Sequence, residues 1–314
     1  MGFRKGASIG LDISREYIGV VELLPGGEEV SLKKHGKIEI PPLLVSPSLS
    51  EENISEPGKF KDEIRNLFNS ASISGKPLIE TFRGRHISVA IPDASVNITF
   101  PEFEDIPKER EKVTELIKWN LKKNLPFPID EALVDYQVTE TPSGGSRLYT
   151  LIAVLMRKAV LAQYENILND LNLIPDTIVP SSFAVYNFYH DLLPDVPACA
   201  VVTAHKNRIA VIALKQGKPN FYRSKEVSDE KDGLREILGS LNYYHNTCGV
   251  MPDRIYLINS GFETVDLKAQ IETHFGAMDI KPIGISDVIR GAGSSMDIFA
   301  GAAGAALKTV SSRQ

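Results

Sequence analysis

The stretch Ser8-Ile9-Gly10-Leu11-Asp12-Ile13-Ser14-Arg15-Glu16-Tyr17-Ile18-Gly19-Val20-Val21-Glu22-Leu23 decides how this chain is read. Two apolar, β-branched runs flank a short polar turn, which is the pattern of a β-hairpin. One acid, Asp12, interrupts the first run just before the turn. A tight turn presents backbone N–H groups and the acid brings a carboxylate, so the tip is expected to face a phosphate or a metal-bound nucleotide.

Outward from the hairpin, the chain has 314 residues, enough for two domains of ordinary size or one two-lobed domain. Hydrophobic residues make up 43% and charged residues 24%, which supports a sizeable core. The net charge is −5, and no long basic segment points to nucleic acid. Two cysteines, Cys199 and Cys248, exclude a disulfide framework and suit a reducing compartment. Met1-Gly2-Phe3-Arg4-Lys5 is charged but precedes no long apolar run, so a secretory signal is not expected. No run of about 18 apolar residues occurs, so a membrane span is not expected either.

The segment from Pro41 to Gly58 is rich in proline, serine and acid and reads as a surface connection. Phe60, Ile64, Leu67 and Phe68 then fall on one helical face. His86 to Ile91 reads as a buried strand, and Val96 to Phe100 as its neighbour. Pro107 to Leu125 is expected to be an amphipathic helix burying Val113, Leu116, Ile117 and Leu121, stopped by Pro126 and Pro128. Strands over Ala132 to Thr139 and Arg147 to Met156 follow, joined by the turn Pro142-Ser143-Gly144-Gly145. A helix carrying Val160, Tyr164, Ile167, Leu168 and Leu171 comes next.

Near Pro194-Asp195-Val196-Pro197 the pattern restarts: strands over Ala198 to Thr203 and Ile209 to Leu214, a turn at Gln216 to Pro219, and a strand from Phe221. A helix marked by Leu234, Ile237, Leu238 and Leu241 is followed by a strand, Arg254 to Ile258, ending in Asn259-Ser260-Gly261. An Ala/Gly-rich helix from Met296 to Lys308 closes the chain. Two halves that each open with strand–turn–strand and go on to helices indicate a duplicated α/β architecture with a cleft between lobes.

Gly10-Leu11-Asp12-Ile13, Leu125-Pro126-Phe127 with Val134-Asp135-Tyr136-Gln137-Val138, and Ser240-Leu241-Asn242-Tyr243-Tyr244 with Arg254-Ile255-Tyr256-Leu257 resemble the PilM family over nearly the whole chain. PilM proteins are actin-like cytoplasmic components of type IV pilus assembly; the cytoplasmic domains of the secretion protein GspL are more distant relatives. The resemblance implies an α/β, actin-like (FtsA/PilM-type) two-lobed fold. The first lobe would cover residues 1–195, with an inserted α+β subdomain at about 82–156, and the second lobe 196–314. It implies a scaffold that sits at the inner membrane through a partner. That partner is the cytoplasmic N-terminal peptide of a PilN-like membrane protein, held between the first lobe's core and the subdomain. Other pilus assembly components would complete the complex.

Actin-like ATPases bind Mg-ATP with three loops, and the resemblance carries each onto this chain. The first maps to Gly10, Asp12, Ser14 and Arg15, with Asp12 on the metal side. Here Ser14 stands where relatives have glycine and Gly19 where they have lysine, so the phosphate meets a side chain and loses a counter-charge, which Arg15 would replace in part. The second loop, commonly Asp-x-Gly, is Thr203-Ala204-His205, and one carboxylate fewer weakens the outer shell of Mg²⁺. The third, commonly Gly-Gly-Gly, is Asn259-Ser260-Gly261. Phosphoryl transfer relies on positioned donors and metal, so a weak or vestigial nucleotide site without hydrolysis is expected. ATP and Mg²⁺ are then not required. The alternatives are an active actin-like ATP switch or ATPase in pilus biogenesis, and a GspL-like secretion adaptor.

Other features read more plainly. His245 and Cys248 have ligand-like spacing but no second pair beside them. No Gly-x-x-x-x-Gly-Lys-Ser/Thr and no Gly-x-Ser-x-Gly occurs. Lys118, Lys122 and Lys123 beside Trp119 read first as a solvated helix face, with anionic lipid or an acidic partner as the other reading.

Overall fold

In the computed structural model, residues 8–26, 29–70, 85–143, 146–193, 196–262, 266–276 and 278–311 are described. The expected glycines of the turn at 144–145, residue 82 at the start of the expected subdomain, and 194–195 at the expected lobe boundary lie outside them.

The opening stretch forms β1 (Ser8–Ile13) and β2 (Tyr17–Gly26), antiparallel, with Asp12 opposite Gly19 and Ile13 opposite Ile18. β3 (Glu29–Glu39) pairs with β2, and β4 (Arg85–Ile91) and β9 (Leu173–Pro180) add in parallel to give the order β3-β2-β1-β4-β9. The second half repeats this plan. β10 (Ala198–His205), β11 (Arg208–Lys215) and β12 (Lys218–Glu226) are antiparallel, and β13 (Arg254–Asn259) and β14 (Asp279–Pro282) add in parallel, in the order β12-β11-β10-β13-β14. The central strands β1, β4, β10 and β13 are mostly apolar, as suits strands covered on both faces, with Asp12, Ser88 and Thr203 as buried polar exceptions. The duplication expected from the sequence is therefore present strand for strand.

Helices α1 (Pro57–Ser70) and α3 (Lys158–Asp170) cover the outer face of the first sheet through Phe60, Ile64, Leu67, Val160, Tyr164 and Leu168. α5 (Glu230–Cys248) and α6 (Leu267–Phe275) cover the second through Ile237, Leu241 and Ile271. Asp229 caps α5 by accepting from the Asp232 N–H, and Gly249, at φ 68°, ends it in the left-handed conformation. Between the sheets lie α4 (Ser181–Tyr189) and α7 (Ala300–Ser311). α4 sets Val185, Phe188 and Tyr189 against Val201, Ile212 and Tyr256 of the second sheet. α7 crosses back from the second half onto β1 and β4. Gly10 permits this approach, because a Cβ there would stand 1.8 Å from the Ala302 carbonyl oxygen. The Ala/Gly run is thus a core helix between the lobes.

The inserted subdomain is a small sheet made of β5 (Asn97–Thr99), β6 (Glu102–Phe103), β7 (Ala132–Ser143) and β8 (Ser146–Arg157). Helix α2 (Arg110–Leu121) covers it with Val113, Ile117 and Leu121. β4 pairs with β1 in the first lobe's sheet, and the strands of the small sheet run from Asn97 to Arg157. Two expectations need correction here. α2 starts at Arg110, since Glu109 is still extended at φ −79°, ψ 124°, which leaves Pro107 outside the helix. The last helix begins at Ala300 after a 3₁₀ segment, Ser294–Phe299.

The proline-rich connection is tied down more firmly than its composition suggests. Leu44, Val45, Asn53 and Ile54 are buried, and Gln163 of α3 accepts from the Asn53 and Ile54 N–H groups at 2.8 and 2.9 Å.

Candidate functional site: the cleft between two hairpins

The β1–β2 and β10–β11 hairpins point their tips at each other across the cleft. Asp12 faces Gly19 in one register and Thr203 faces Ala210 in the other, so the two hairpins superpose residue for residue: Ser14 matches His205, Glu16 matches Asn207, and Tyr17 matches Arg208. A cavity of about 200 Å³ lies between them, lined by Ser14, Arg15, Tyr17, Asp93, His205 and Arg208 among others.

The first tip is held by its own serine. Ser14 Oγ accepts from the Tyr17 N–H at 2.9 Å and the Glu16 N–H at 3.2 Å, and donates to the Tyr17 carbonyl at 3.0 Å. That is local turn chemistry, and it uses up the hydroxyl that a phosphate would need. Asp12 is 2% exposed and accepts from Tyr17 Oη at 2.9 Å and Ser181 Oγ at 3.3 Å. Helix α7 closes over it, since a Cβ at Gly301 would lie 2.6 Å from its Oδ2. Burial raises the Asp12 pKa, opposed by the Arg208 charge and by those two hydrogen bonds.

Arg208 enters from the second hairpin. Its guanidinium donates to Ser181 Oγ at 3.2 Å and stands 3.7 Å from Asp93 Oδ2. Burial works against its charge, and the Asp93 and Asp12 carboxylates more than offset that, so it is held protonated. Asp93 is itself fixed by the Ser182 N–H and hydroxyl of α4, at 3.0 and 2.9 Å, and by Ser224 of β12 at 3.2 Å. Its position follows from Pro92, which ends β4 and begins a 3₁₀ turn. His205 stacks on Tyr17 with ring centroids 5.5 Å apart, and Lys37 stands over the Tyr17 ring at 5.6 Å. Burial, then the Arg208, Lys37 and Lys206 charges, push the His205 pKa down to about 3, so the imidazole is neutral. Arg15 pairs with Glu226 at 2.7 Å, and Asn207 donates to Glu16. Six of these contacts thus cross from one half of the chain to the other: Arg208 to Ser181 and Asp93, Ser224 to Asp93, His205 to Tyr17, Arg15 to Glu226 and Asn207 to Glu16.

The sequence-derived nucleotide residues are not gathered at one surface. Ser14, Arg15 and His205 line the cavity. Gly10 faces α7, and Asp12 lies buried behind Tyr17. Thr203 is 8% exposed. Asn259 folds its own loop, accepting from the Phe262 N–H at 2.9 Å, and Gly261 packs against the Lys206 backbone. Arg15 is paired with Glu226 at 2.7 Å. Among the described residues no group of three His, Cys, Asp or Glu is placed to hold a metal ion. Sequence reasoning missed Tyr17, Asp93, Ser181 and Arg208. Aligning the two hairpins on each other would have exposed Tyr17 and Arg208 as the matched residues just past each turn.

Paired β-β-β-α-β sheets about a cleft, with a small sheet inserted in the first, define an actin-like fold. Comparison with solved structures bears this out. The chain is similar to a structure titled PilM-PilN type IV pilus biogenesis complex, with 19% identity over 98% of this chain and 99% of that one and a TM-score of 0.78. It is also similar to a Bacteroides thetaiotaomicron protein with an actin-like ATPase fold, at 11% identity over 94% and 95% and a TM-score of 0.53. A third is the cytoplasmic domain of EpsL, an inner membrane component of the Vibrio cholerae type II secretion system, at 10% identity over 89% and 91% and a TM-score of 0.53. No family model matches the chain. No curated protein matches it.

Proposed function

We propose that this chain is an adaptor of type IV pilus assembly, working at the cytoplasmic face of the inner membrane. Its partner is the short N-terminal cytoplasmic peptide of a PilN-like membrane protein, held between the first lobe's core and the inserted subdomain. The lobes divide near residue 195. The observation that carries the reading is the full-length likeness to a PilM-PilN complex, which exceeds the likeness to the EpsL domain. No helix among the described residues is long and apolar enough to cross a membrane, and a peptide-borne attachment is compatible with that.

In this reading nucleotide hydrolysis is lost, and ATP is not needed to shape the protein. Support comes from Arg208. A divalent ion near Asp12 would sit beside a buried guanidinium, and like charges at such range repel strongly. Ser14, used in its turn, and Thr203, in place of an acid, leave few ligands for Mg²⁺ or phosphate. The residues present therefore do not fit a magnesium triphosphate, and no catalytic step is assigned to them.

Calorimetric titration with a synthetic peptide copying the cognate partner's cytoplasmic segment tests the adaptor. Binding without nucleotide, unchanged by Mg-ATP, is expected. Binding only when ATP is added would replace the adaptor with a nucleotide switch, and no binding in either state would end both.

A further inference from the structure

Helix α2 buries Val113, Ile117 and Leu121 in the subdomain core. Trp119 follows Ile117 by two residues, roughly 200° around the helix, so it projects away from that core. It is 77% exposed, more than any other large apolar residue described. Lys122 and Lys123 stand three and four residues on, in the 3₁₀ turn Lys122–Asn124, and both are exposed on the same side as the indole. Several acids of the subdomain have cationic partners of their own: Glu115 with Lys118 at 3.2 Å, Glu109 with Lys112 at 3.0 Å, Asp135 with Arg110, and Glu131 with Arg157 at 2.7 Å. Among the described residues no carboxylate reaches Lys122 or Lys123 within ion-pair distance. This cationic turn stands out on a chain whose net charge is −5.

We propose that Trp119, Lys122 and Lys123 form a contact for an anionic phospholipid surface. An indole beside two free ammonium groups on a convex helix end suits the headgroup region, where the ring's amphipathic character and the lipid phosphates are both met. Charge complementarity names the occupant: the patch is cationic, and an anionic leaflet attracts each nearby lysine enough to raise partition about 5-fold. Two lysines and one ring give a weak, salt-sensitive attachment. Such a contact orients the subdomain toward the bilayer and adds to any other tether by raising effective concentration.

The test has a built-in probe, because Trp119 is the only tryptophan in the chain. The full chain, without any peptide, is mixed with vesicles of phosphatidylcholine or of phosphatidylcholine containing phosphatidylglycerol. A blue shift of emission with the anionic vesicles alone is expected, lost at high salt. Lys122→Gln and Lys123→Gln should each lower partition about 5-fold and together about 25-fold, with circular dichroism unchanged. An unshifted emission with anionic vesicles, an equal shift with neutral ones, or unaltered partition of the double variant would each overturn the proposal. So would a shift with an acidic polypeptide and none with vesicles. None of these outcomes depends on whether the peptide of the proposed adaptor binds.

Discussion

The two hairpins have one backbone and two chemistries. Each runs strand, two-sided turn, strand, in matching register. The first places a buried acid, Asp12, and a tyrosine, Tyr17; the second places Thr203 and Arg208 at the same positions. The cation that offsets the buried Asp12 and Asp93 carboxylates is Arg208 of the second hairpin, so it is covalently part of the chain. The contrast explains how an actin-type cleft can stay together through its own side chains.

The comparison can be broken most severely at Gly10, whose counterpart in the second hairpin is Val201. Val201 packs in the core between the lobes, while Gly10 lies against the α7 backbone. Gly10→Val should therefore destabilise by more than about 4 kcal/mol, since neither backbone can yield cheaply; urea unfolding measures it. Val201→Gly should cost less, about 2 kcal/mol.

Arg208→Ala comes next. It leaves Asp93 and Asp12 buried without their cation and should cost about 3–4 kcal/mol at neutral pH by the same assay. Part of that loss should return in acid, as Asp12 takes up a proton at a pKa above its ordinary value.

His205 supplies the pH dependence. Its folded pKa, about 3, lies below its unfolded value, so between about pH 6.5 and 3 the unfolded chain binds one more proton. Stability should fall as pH drops through that window, at up to about 1.4 kcal/mol per pH unit from this group. His205→Gln should flatten the slope in a series of melts. A slope that persists would mean the imidazole beside Tyr17 is not shielded from protons. The smallest effect belongs to the exposed Arg15–Glu226 pair: Arg15→Ala should change stability by less than about 1 kcal/mol, and raising salt should mimic it.

Much of the fold was legible in the sequence because its signals are local, although β3, α4, α6 and β14 were not read there. Alternating β-branched residues made the two hairpins visible, and α1 and α3 followed from helical spacing of Phe60, Ile64 and Leu67 and of Val160, Tyr164 and Leu168. What local pattern does not encode was missed. β9 carries proline and acid within a buried sheet, and the 41–55 connection is held by Gln163 from more than a hundred residues away. The site was legible as a place and not as a set of contacts. Asp12 and Ser14 were singled out, yet Tyr17 meets them within the hairpin, Ser181 reaches Asp12 from α4 far along the chain, and Arg208 joins them only when the two halves close.

The most direct measurement is thermal unfolding of the chain with and without a large excess of Mg-ATP. If its own arginine and tyrosine occupy the cleft, the midpoint stays where it was. A midpoint that climbs steadily with ATP concentration, as mass action demands for a ligand of the native state, would contradict the account.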